Sequence, residues 1–202
     1  MICCEKIENS WFNSNTYILS EKNETNVWLV DCGDFYKIED WLQKYNKVLK
    51  GIFVTHSHFD HIYGINDALL LYPDINVFVS KNEGINIITD SKRNGSKYTE
   101  KPFEIHSNNF KELEDIDVIH LFSNNYSLIV YETMGHSVDS LSFAIDKYLF
   151  TGDAYIPGIK VVTKLKGGNK EQADNSIKRI ISFMNKDTIL CPGHNSNLTQ
   201  SI

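Results

Sequence analysis

The most informative part of this sequence is Thr55-His56-Ser57-His58-Phe59-Asp60-His61, which directly follows the apolar run Gly51-Ile52-Phe53-Val54. Three histidines and one aspartate lie within six residues there, and a surface loop has no reason to collect them so closely. Imidazole and carboxylate groups are ligands that zinc and iron accept in proteins. We therefore predict that this stretch binds metal at the end of a short, buried strand.

Three further ligand-type residues each follow a predicted strand and have a glycine beside them. They are His136 in Met134-Gly135-His136-Ser137, Asp153 in Thr151-Gly152-Asp153 and His194 in Pro192-Gly193-His194. Side chains at strand ends can converge on one edge of a sheet, and glycine lets the backbone turn tightly there. Five of the seven histidines belong to this combined set. The other two, His106 and His120, are expected to be surface or core histidines without a role in it.

The pattern of apolar residues predicts a succession of short strands and amphipathic helices. Strands are predicted over 2–8, 15–20, 26–31, 51–55, 77–80, 116–121, 127–133, 140–146, 148–151 and 188–191. Helices are predicted over 36–48, 61–71, 82–89 and 170–184. Nothing marks a linker, so we expect one α/β domain over residues 1–202, with two packed sheets and helices outside. The irregular stretch 90–112 is either a functional loop or a surface insertion.

Composition excludes several classes of function. The chain has 202 residues, a hydrophobic fraction of 42% and a net charge of -6, which argues against broad nucleic-acid binding. No apolar run approaches the ~20 residues of a membrane helix, and residues 1–6 lack the pattern of a signal peptide, which predicts a cytoplasmic protein.

Cys3, Cys4, Cys32 and Cys191 are expected to be reduced thiols. For Cys191, a position close to the metal is the alternative.

These motifs resemble those of the metallo-β-lactamase superfamily. Its H-x-H-x-D-H motif matches His56, His58, Asp60 and His61, and its later histidine, bridging aspartate and last histidine match His136, Asp153 and His194. Its early Asp-x-Gly motif matches Asp31 and Gly33. The motifs occur in family order and cover residues 31–194. The resemblance implies a four-layered αβ/βα sandwich of two mixed β-sheets with helices outside.

The resemblance also implies a two-metal site. His56, His58 and His136 would hold the first metal, and Asp60, His61 and His194 the second. Asp153 would bridge the two, as in the glyoxalase II branch, and Asp31 would support the site without binding metal itself. Because β-lactamases usually carry cysteine at the bridging position, Asp153 argues against antibiotic hydrolysis as the native activity.

Two cations that share one water lower its pKa toward neutrality and so supply hydroxide. The first metal would polarise a carbonyl oxygen, the second would stabilise the departing anion, and Asp60 would hold the nucleophile and carry its proton. Two Zn²⁺ per chain are expected, although iron and manganese suit similar sites. The resemblance implies a hydroxyacylglutathione hydrolase-like activity on a thioester or ester. The alternatives are a lactonase, a phosphodiesterase, a persulfide dioxygenase with one iron, and a metal-binding protein without catalysis.

The sequence differs from glyoxalase II enzymes in two regions that bear on the choice of substrate. Those enzymes carry a C-terminal helical region that helps to bind glutathione, whereas this chain has eight residues after His194. After the bridging aspartate they have a Gly-Arg step, where this chain has residues 154–160. Tyr155 could donate a hydrogen bond to an oxyanion there. Lys160, with Lys164 and Lys166, either attracts an anionic small-molecule substrate or belongs to a solvated basic loop. The sequence does not predict the oligomeric state.

Overall fold

The computed structural model describes residues 1–90, 99, 103–123 and 125–195. A six-stranded sheet follows the order of the sequence: β1 (Ile2–Glu8), β2 (Asn15–Glu21), β3 (Asn26–Val30), β4 (Val48–Phe53), β5 (Asn76–Ser80) and β6 (Phe110–Leu113). β1 to β3 pair antiparallel, and β3 to β6 pair parallel. Parallel neighbours need crossover connections. Helices lie in them: α1 (Phe35–Tyr45), α2 (Phe59–Ile62), α3 (Ile65–Leu71) and α4 (Gly84–Ile88).

A second, five-stranded sheet contains β7 (Val118–Leu121), β8 (Tyr126–Glu132), β9 (Leu141–Ile145), β10 (Tyr148–Gly152) and β11 (Ile189–Pro192). Its strands lie in the order β11-β10-β9-β8-β7. The neighbours β7 to β10 pair antiparallel, whereas β10 and β11 pair parallel through a crossover that contains α5 (Lys170–Phe183). Both sheets are therefore mixed, as expected.

Three apolar layers hold the sheets and helices together. Successive residues of β2 point to opposite faces, so Tyr17 and Leu19 pack between the two sheets while Ile18 packs beneath the helices of the first half. Between the sheets, the Phe53 ring stacks on Phe78 with 4.5 Å between centroids. A third layer places the apolar face of α5 against β10 and β11. The four layers are the helices of the first half, the first sheet, the second sheet and α5. This four-layered αβ/βα sandwich confirms the expected fold.

Three predicted elements need correction. The predicted helix over 36–48 ends at Tyr45, because Asn46 has a left-handed backbone conformation, and Val48 begins β4. The predicted helix over 61–71 is two helices, because the chain turns at Gly64, where an added Cβ would lie 1.9 Å from the Gly33 carbonyl oxygen. The stretch 90–112, expected to be irregular, contains the start of β6. Lys111 and Glu112 of this edge strand are exposed and hide its apolar pattern. The remaining part of that stretch includes 91–98 and 100–102, which lie outside the described residues.

The cysteines are all free thiols, as the sequence predicts. Cys191 packs in the layer between the two sheets, and Cys32 packs beneath the helices of the first half. Cys3 is exposed on β1. Among the residues that the structure describes, no helix is long and apolar enough to cross a bilayer.

Candidate metal centre

All seven of the proposed metal ligands meet at one edge of the sandwich. The stretch His56–His61 follows β4 of the first sheet, and it extends into the short helix α2. His136 lies in the turn between β8 and β9, Asp153 follows β10 and His194 follows β11. The two sheets therefore contribute ligand-type residues to the same place, and neither half of the chain contains the full set.

The first group of donor atoms consists of three imidazoles. The Nδ1 atom of His58 lies 3.1 Å from Nε2 of His56 and 2.8 Å from Nε2 of His136. One ring nitrogen of each residue lies within 4.8 Å of the other two. Three imidazole nitrogens that face one another at this spacing suit a single metal ion.

The second group combines two imidazoles with a carboxylate. Nε2 of His194 lies 3.2 Å from Asp60 Oδ2 and 3.4 Å from Nε2 of His61. Asp153 lies between the two groups. Its Oδ1 atom is 3.6 Å from His61 Nε2, and its Oδ2 atom is 3.6 Å from His136 Nε2. One carboxylate thus faces both groups, which is the position expected of a bridging ligand.

The outward nitrogens of these histidines have their own partners. His136 Nδ1 donates to the Val162 carbonyl at 2.9 Å, and His194 Nδ1 donates to the Phe12 carbonyl at 3.1 Å. A carbonyl only accepts, so each contact places a ring proton on Nδ1 and turns Nε2 toward the cluster. Such outer hydrogen bonds orient metal-binding histidines and fix their tautomer.

Asp31 orients His61 in the same way. Its Oδ2 atom lies 2.8 Å from His61 Nδ1, and it also accepts from the Thr55 hydroxyl at 2.8 Å. Its Oδ1 atom accepts from the Thr55 backbone N–H at 2.7 Å. Asp31 is buried and sits behind the ring of His61, at a distance from the other donor atoms. This geometry is consistent with the supporting role that the sequence predicts for it.

Burial and neighbouring charges set the protonation of the cluster. Burial, reinforced by the other histidines, lowers the pKa of His56 well below its usual range, so its ring is neutral. Burial also opposes the charged form of His61, but the carboxylates of Asp60 and Asp31 outweigh it and raise the pKa of His61 to about 9. Burial raises the pKa of Asp153, but the surrounding histidines outweigh it and hold that pKa far below its usual range. A field that favours a protonated imidazole also favours a bound cation.

The chemistry of these residues fits divalent metal. Asp153 Oδ1 is buried and accepts no hydrogen bond from any residue that the structure describes. A buried carboxylate oxygen without a partner is costly, and coordination to a cation removes that cost. Gly193 allows the close approach, because an added Cβ would lie 2.3 Å from this oxygen. We conclude that the donor set and its packing suit metal ions rather than a hydrogen-bonded core.

The turn between β1 and β2 also supports the site, although it lies outside the motifs recognised in the sequence. The Ser14 hydroxyl donates to the Asp60 carbonyl at 2.6 Å, and Asn15 N–H donates to the Gly193 carbonyl at 2.7 Å. Asp139, also missed, accepts from the Ser57 backbone N–H at 2.8 Å. These contacts run through backbone atoms, and only the turn-forming Asn and Ser residues near 9–15 could have suggested them.

Asp34 connects the turn between β1 and β2 to α1 through hydrogen bonds and an ion pair. Its Oδ2 atom accepts from the Ser10 hydroxyl at 2.6 Å and from Lys37 Nζ at 2.7 Å, and its Oδ1 atom accepts from Tyr63 at 2.5 Å. Burial raises the pKa of Asp34, but these hydrogen bonds outweigh it and lower that pKa to about 2. The turn that carries Phe12 to the site is therefore held by an ionised carboxylate.

Of the other candidate residues, Lys160 lies beside the cluster, whereas Tyr155 and Cys191 pack in apolar layers. Lys160 lines a recess beside His136 and Asp153. Tyr155 is half-buried and packs against the apolar layer beneath α5, and it is not among the described residues that line this recess. Cys191, in the core between the sheets, is in none of the donor groups found among the described residues.

Two histidines were expected to lie apart from the site. His106 is exposed and lies 2.9 Å from Glu104, and Nδ1 of the exposed His120 lies 3.2 Å from the Ser127 hydroxyl. Neither histidine is in a donor group found among the described residues.

A sandwich of two mixed sheets that gathers histidines and aspartates at one edge defines a class of metal-site proteins. A family model described as the metallo-beta-lactamase superfamily matches residues 9–194, and the chain belongs to that superfamily. The resemblance inferred from the motifs is thereby confirmed. The family and the clustered histidines and aspartates together imply divalent metal ions.

Relatives and solved structures agree with this membership. The chain is 25% identical to a hydroxyacylglutathione hydrolase of Aliivibrio fischeri (strain MJ11) over 180 residues, which cover 89% of this chain and 62% of the relative. It therefore spans about three fifths of that relative's length. The structure of BLEG-1 B3 metallo-beta-lactamase has a TM-score of 0.84 at 24% identity, and 96% and 92% of the two chains are covered. TTHA1623 in a di-iron-bound form has a TM-score of 0.75 at 22% identity, covering 95% and 92%. At these identities the two structures show the fold alone.

Proposed function

We propose that this protein is a metal-dependent hydrolase of thioesters or esters, with residues 1–202 forming a single catalytic domain. The observation that carries the proposal is the pair of donor groups, three imidazoles on one side and Asp60, His61 and His194 on the other, with Asp153 between them. These residues would hold two divalent ions, with Zn²⁺ as our choice because its usual ligands are imidazole and carboxylate. The chemistry supplied by a bound metal pair is a water of lowered pKa and a polarised carbonyl.

The residues of the chain then have distinct tasks. The carbonyl of the substrate would lie toward His56, His58 and His136, and the departing atom toward the opposite group. The Asp60 carboxylate lies within 3.5 Å of both His61 and His194, where it can accept the proton of the attacking water. The Ser14 hydroxyl holds the Asp60 backbone, which limits the movement of that carboxylate.

Two features support a thioester or ester as the substrate. The first is the likeness to an enzyme named hydroxyacylglutathione hydrolase. The second is Asp153, since an aspartate at this position distinguishes the glyoxalase II branch from the β-lactamases. Lys160, Lys164, Lys166 and Lys170 lie between residues 154 and 170, a stretch without any acidic residue. Positive charge at the mouth of a site raises the local concentration of anionic substrates, and we propose that the substrate carries negative charge.

The test is a hydrolysis screen on purified protein whose metal content has been measured by mass spectrometry. The panel contains S-lactoylglutathione, simple thioesters and esters, an acyl lactone, a phosphodiester and a β-lactam. We expect two metals per chain and turnover of a thioester or ester. One iron per chain with oxygen uptake on a persulfide, or turnover of the phosphodiester alone, would overturn the proposal.

Substitution of Asp60 tests the mechanism. Asp60→Ala should lower kcat by about 10²–10⁴-fold, the usual contribution of general acid–base catalysis, while the circular dichroism spectrum stays unchanged. Asp40→Ala is the matched control, because it removes an exposed carboxylate from α1 at a distance from the donor groups. Unchanged hydrolysis by Asp60→Ala would show that another group carries the proton.

A further inference from the structure

The segment between β10 and α5 borders a partly open cavity that the proposed chemistry does not use. The cavity has a volume of about 230 Å³ and lies between residues 155–163 and the first turns of α5. Pockets for whole drug-sized ligands measure ~300–1,000 Å³. This cavity is therefore too small for a complete substrate of that size and fits one part of a substrate.

The walls of the cavity are mainly aliphatic. Ile156, Ile159 and Val161 line it from the segment, and Ala173 and Ile177 line it from α5. Its polar lining comes from the half-buried Tyr155 and from residues that are exposed or have small side chains: Lys160, Thr163, Lys170 and Asp174. Lysine stems can cover an apolar chain while their ammonium groups remain in water. The aliphatic part of the lining therefore suits a hydrocarbon chain.

The cavity lies next to the side of the metal centre that carries His136. A small recess of about 40 Å³, lined by His136 and Asp153, shares Ile156, Ile159, Lys160 and Val161 with it as a common wall. The first turn of α5 also packs on the turn that carries His136, because Asn169 N–H donates to the Gly135 carbonyl at 2.8 Å. The cavity therefore borders the same segment as the recess on the His136 side of the centre.

We propose that the cavity binds the aliphatic acyl chain of the substrate. The inference rests on the proposed hydrolase function, in which the carbonyl lies toward His136 and the leaving group toward His194. On that arrangement the acyl half faces the cavity. The substrate class is then a thioester or ester of an unsubstituted aliphatic acid, rather than of a short hydroxy acid.

A series of thioesters with one leaving group and acyl chains of increasing length tests this inference. Each methylene that enters the cavity should raise kcat/KM about fourfold, which corresponds to ~0.8 kcal/mol. The gain should stop once the cavity is full. A second series keeps the acetyl group and lengthens the leaving group. A rise in kcat/KM in the second series alone would overturn the assignment to the acyl half.

Two substitutions at Ile177 change the size of the cavity. Ile177→Phe should shorten the preferred acyl chain, and Ile177→Ala should lengthen it. Ile181→Phe is the matched control, because Ile181 lies one turn further along α5, is 50% exposed and is not among the described residues that line the cavity. Ile181→Phe should keep the wild-type preference. Ile177 is half-buried, so at least one of its two variants is expected to fold, which circular dichroism would check.

Calorimetric titration with octanoate and with lactate gives a readout that does not depend on turnover. Octanoate should bind the wild-type protein and the Ile181→Phe variant, and Ile177→Phe should weaken that binding at least tenfold. A flat acyl series together with a preference for lactoyl esters would refute the cavity assignment and leave the hydrolase function intact. Absence of hydrolysis across both series would refute the hydrolase function itself.

Discussion

Gly193 has no room for a side chain, and substituting it tests the whole geometry of the site. An added Cβ would lie 2.3 Å from Asp153 Oδ1 and 2.8 Å from His61 Cε1. Non-bonded carbon contacts settle at ~3.5–4.0 Å. The Asp153 carboxylate must therefore move by about 1 Å in a Gly193→Ala variant, away from a position between both donor groups.

The expected effects on stability and on activity differ in size. The carboxylate is the end of a side chain and can rotate, so the free energy of unfolding should fall by only about 1–3 kcal/mol, as in other overpacked sites. A displacement of ~1 Å among catalytic groups can cost about 100-fold in rate. We expect kcat/KM of Gly193→Ala to fall by that factor, which corresponds to ~2.7 kcal/mol of transition-state stabilisation.

The assay combines steady-state kinetics on the best substrate of the screen, metal content by mass spectrometry and urea unfolding. Gly167→Ala is the control, because Gly167 has φ = +89° but an added Cβ would find its nearest atom, Val138 N, at 3.5 Å. That variant should lose about 1–2 kcal/mol of stability from backbone strain alone and keep its kcat/KM. A folded Gly193→Ala protein with wild-type kcat/KM and full metal content would refute the reasoning.

Three further predictions follow from the contacts of single residues. Asp31→Asn places an amide where a carboxylate accepts from His61 Nδ1, so metal affinity should fall about 10–100-fold in a chelator competition. The folded pKa of Asp34, about 2, lies below its ordinary value of 3.8, so its stabilisation is present above pH 3.8 and is lost as the pH falls toward 2. Urea unfolding should show the wild type losing about 2 kcal/mol over that range relative to Asp34→Asn. Phe53→Ala should lower the free energy of unfolding by about 3–5 kcal/mol, because Phe53 is fully buried between the sheets and stacks on Phe78.

The fold was predictable where a pattern is local. Six of the seven residues of β2 are buried, and its apolar residues alternate between two layers, which the sequence shows as the short run Thr16-Tyr17-Ile18-Leu19. α1 and α5 were predictable from apolar residues at spacings of three and four. The break at Gly64 was not, because it depends on contact with Gly33, thirty-one residues earlier in the chain. β6 was missed because two of its four residues are exposed and charged, as is common on an edge strand.

The site, like the fold, was predictable only in part. Ligand-type residues are recognisable by their side chains, and the structure places all of the proposed ones at one edge. Their outer partners are harder to recognise, because His136 and His194 donate to the carbonyls of Val162 and Phe12. Every residue type has a backbone carbonyl, so the sequence does not show which carbonyl accepts from each histidine. Asp31 differs from these carbonyls, because it contacts His61 through its side chain and belongs to the recognisable Asp-x-Gly motif.

The distribution of the ligands over both sheets couples the metal centre to the core. The His56–His61 stretch belongs to the first sheet, and His136, Asp153 and His194 belong to the second, so the site exists only when the two sheets are packed together. The turn 9–14 reinforces this arrangement, since Ser14 contacts Asp60 while Phe12 accepts from His194. A ligand that binds only the folded state stabilises it by about 4 kcal/mol at a thousand times its dissociation constant. Metal that joins the two halves would therefore strengthen the contact between the sheets, and a loss of packing between them would weaken the metal site.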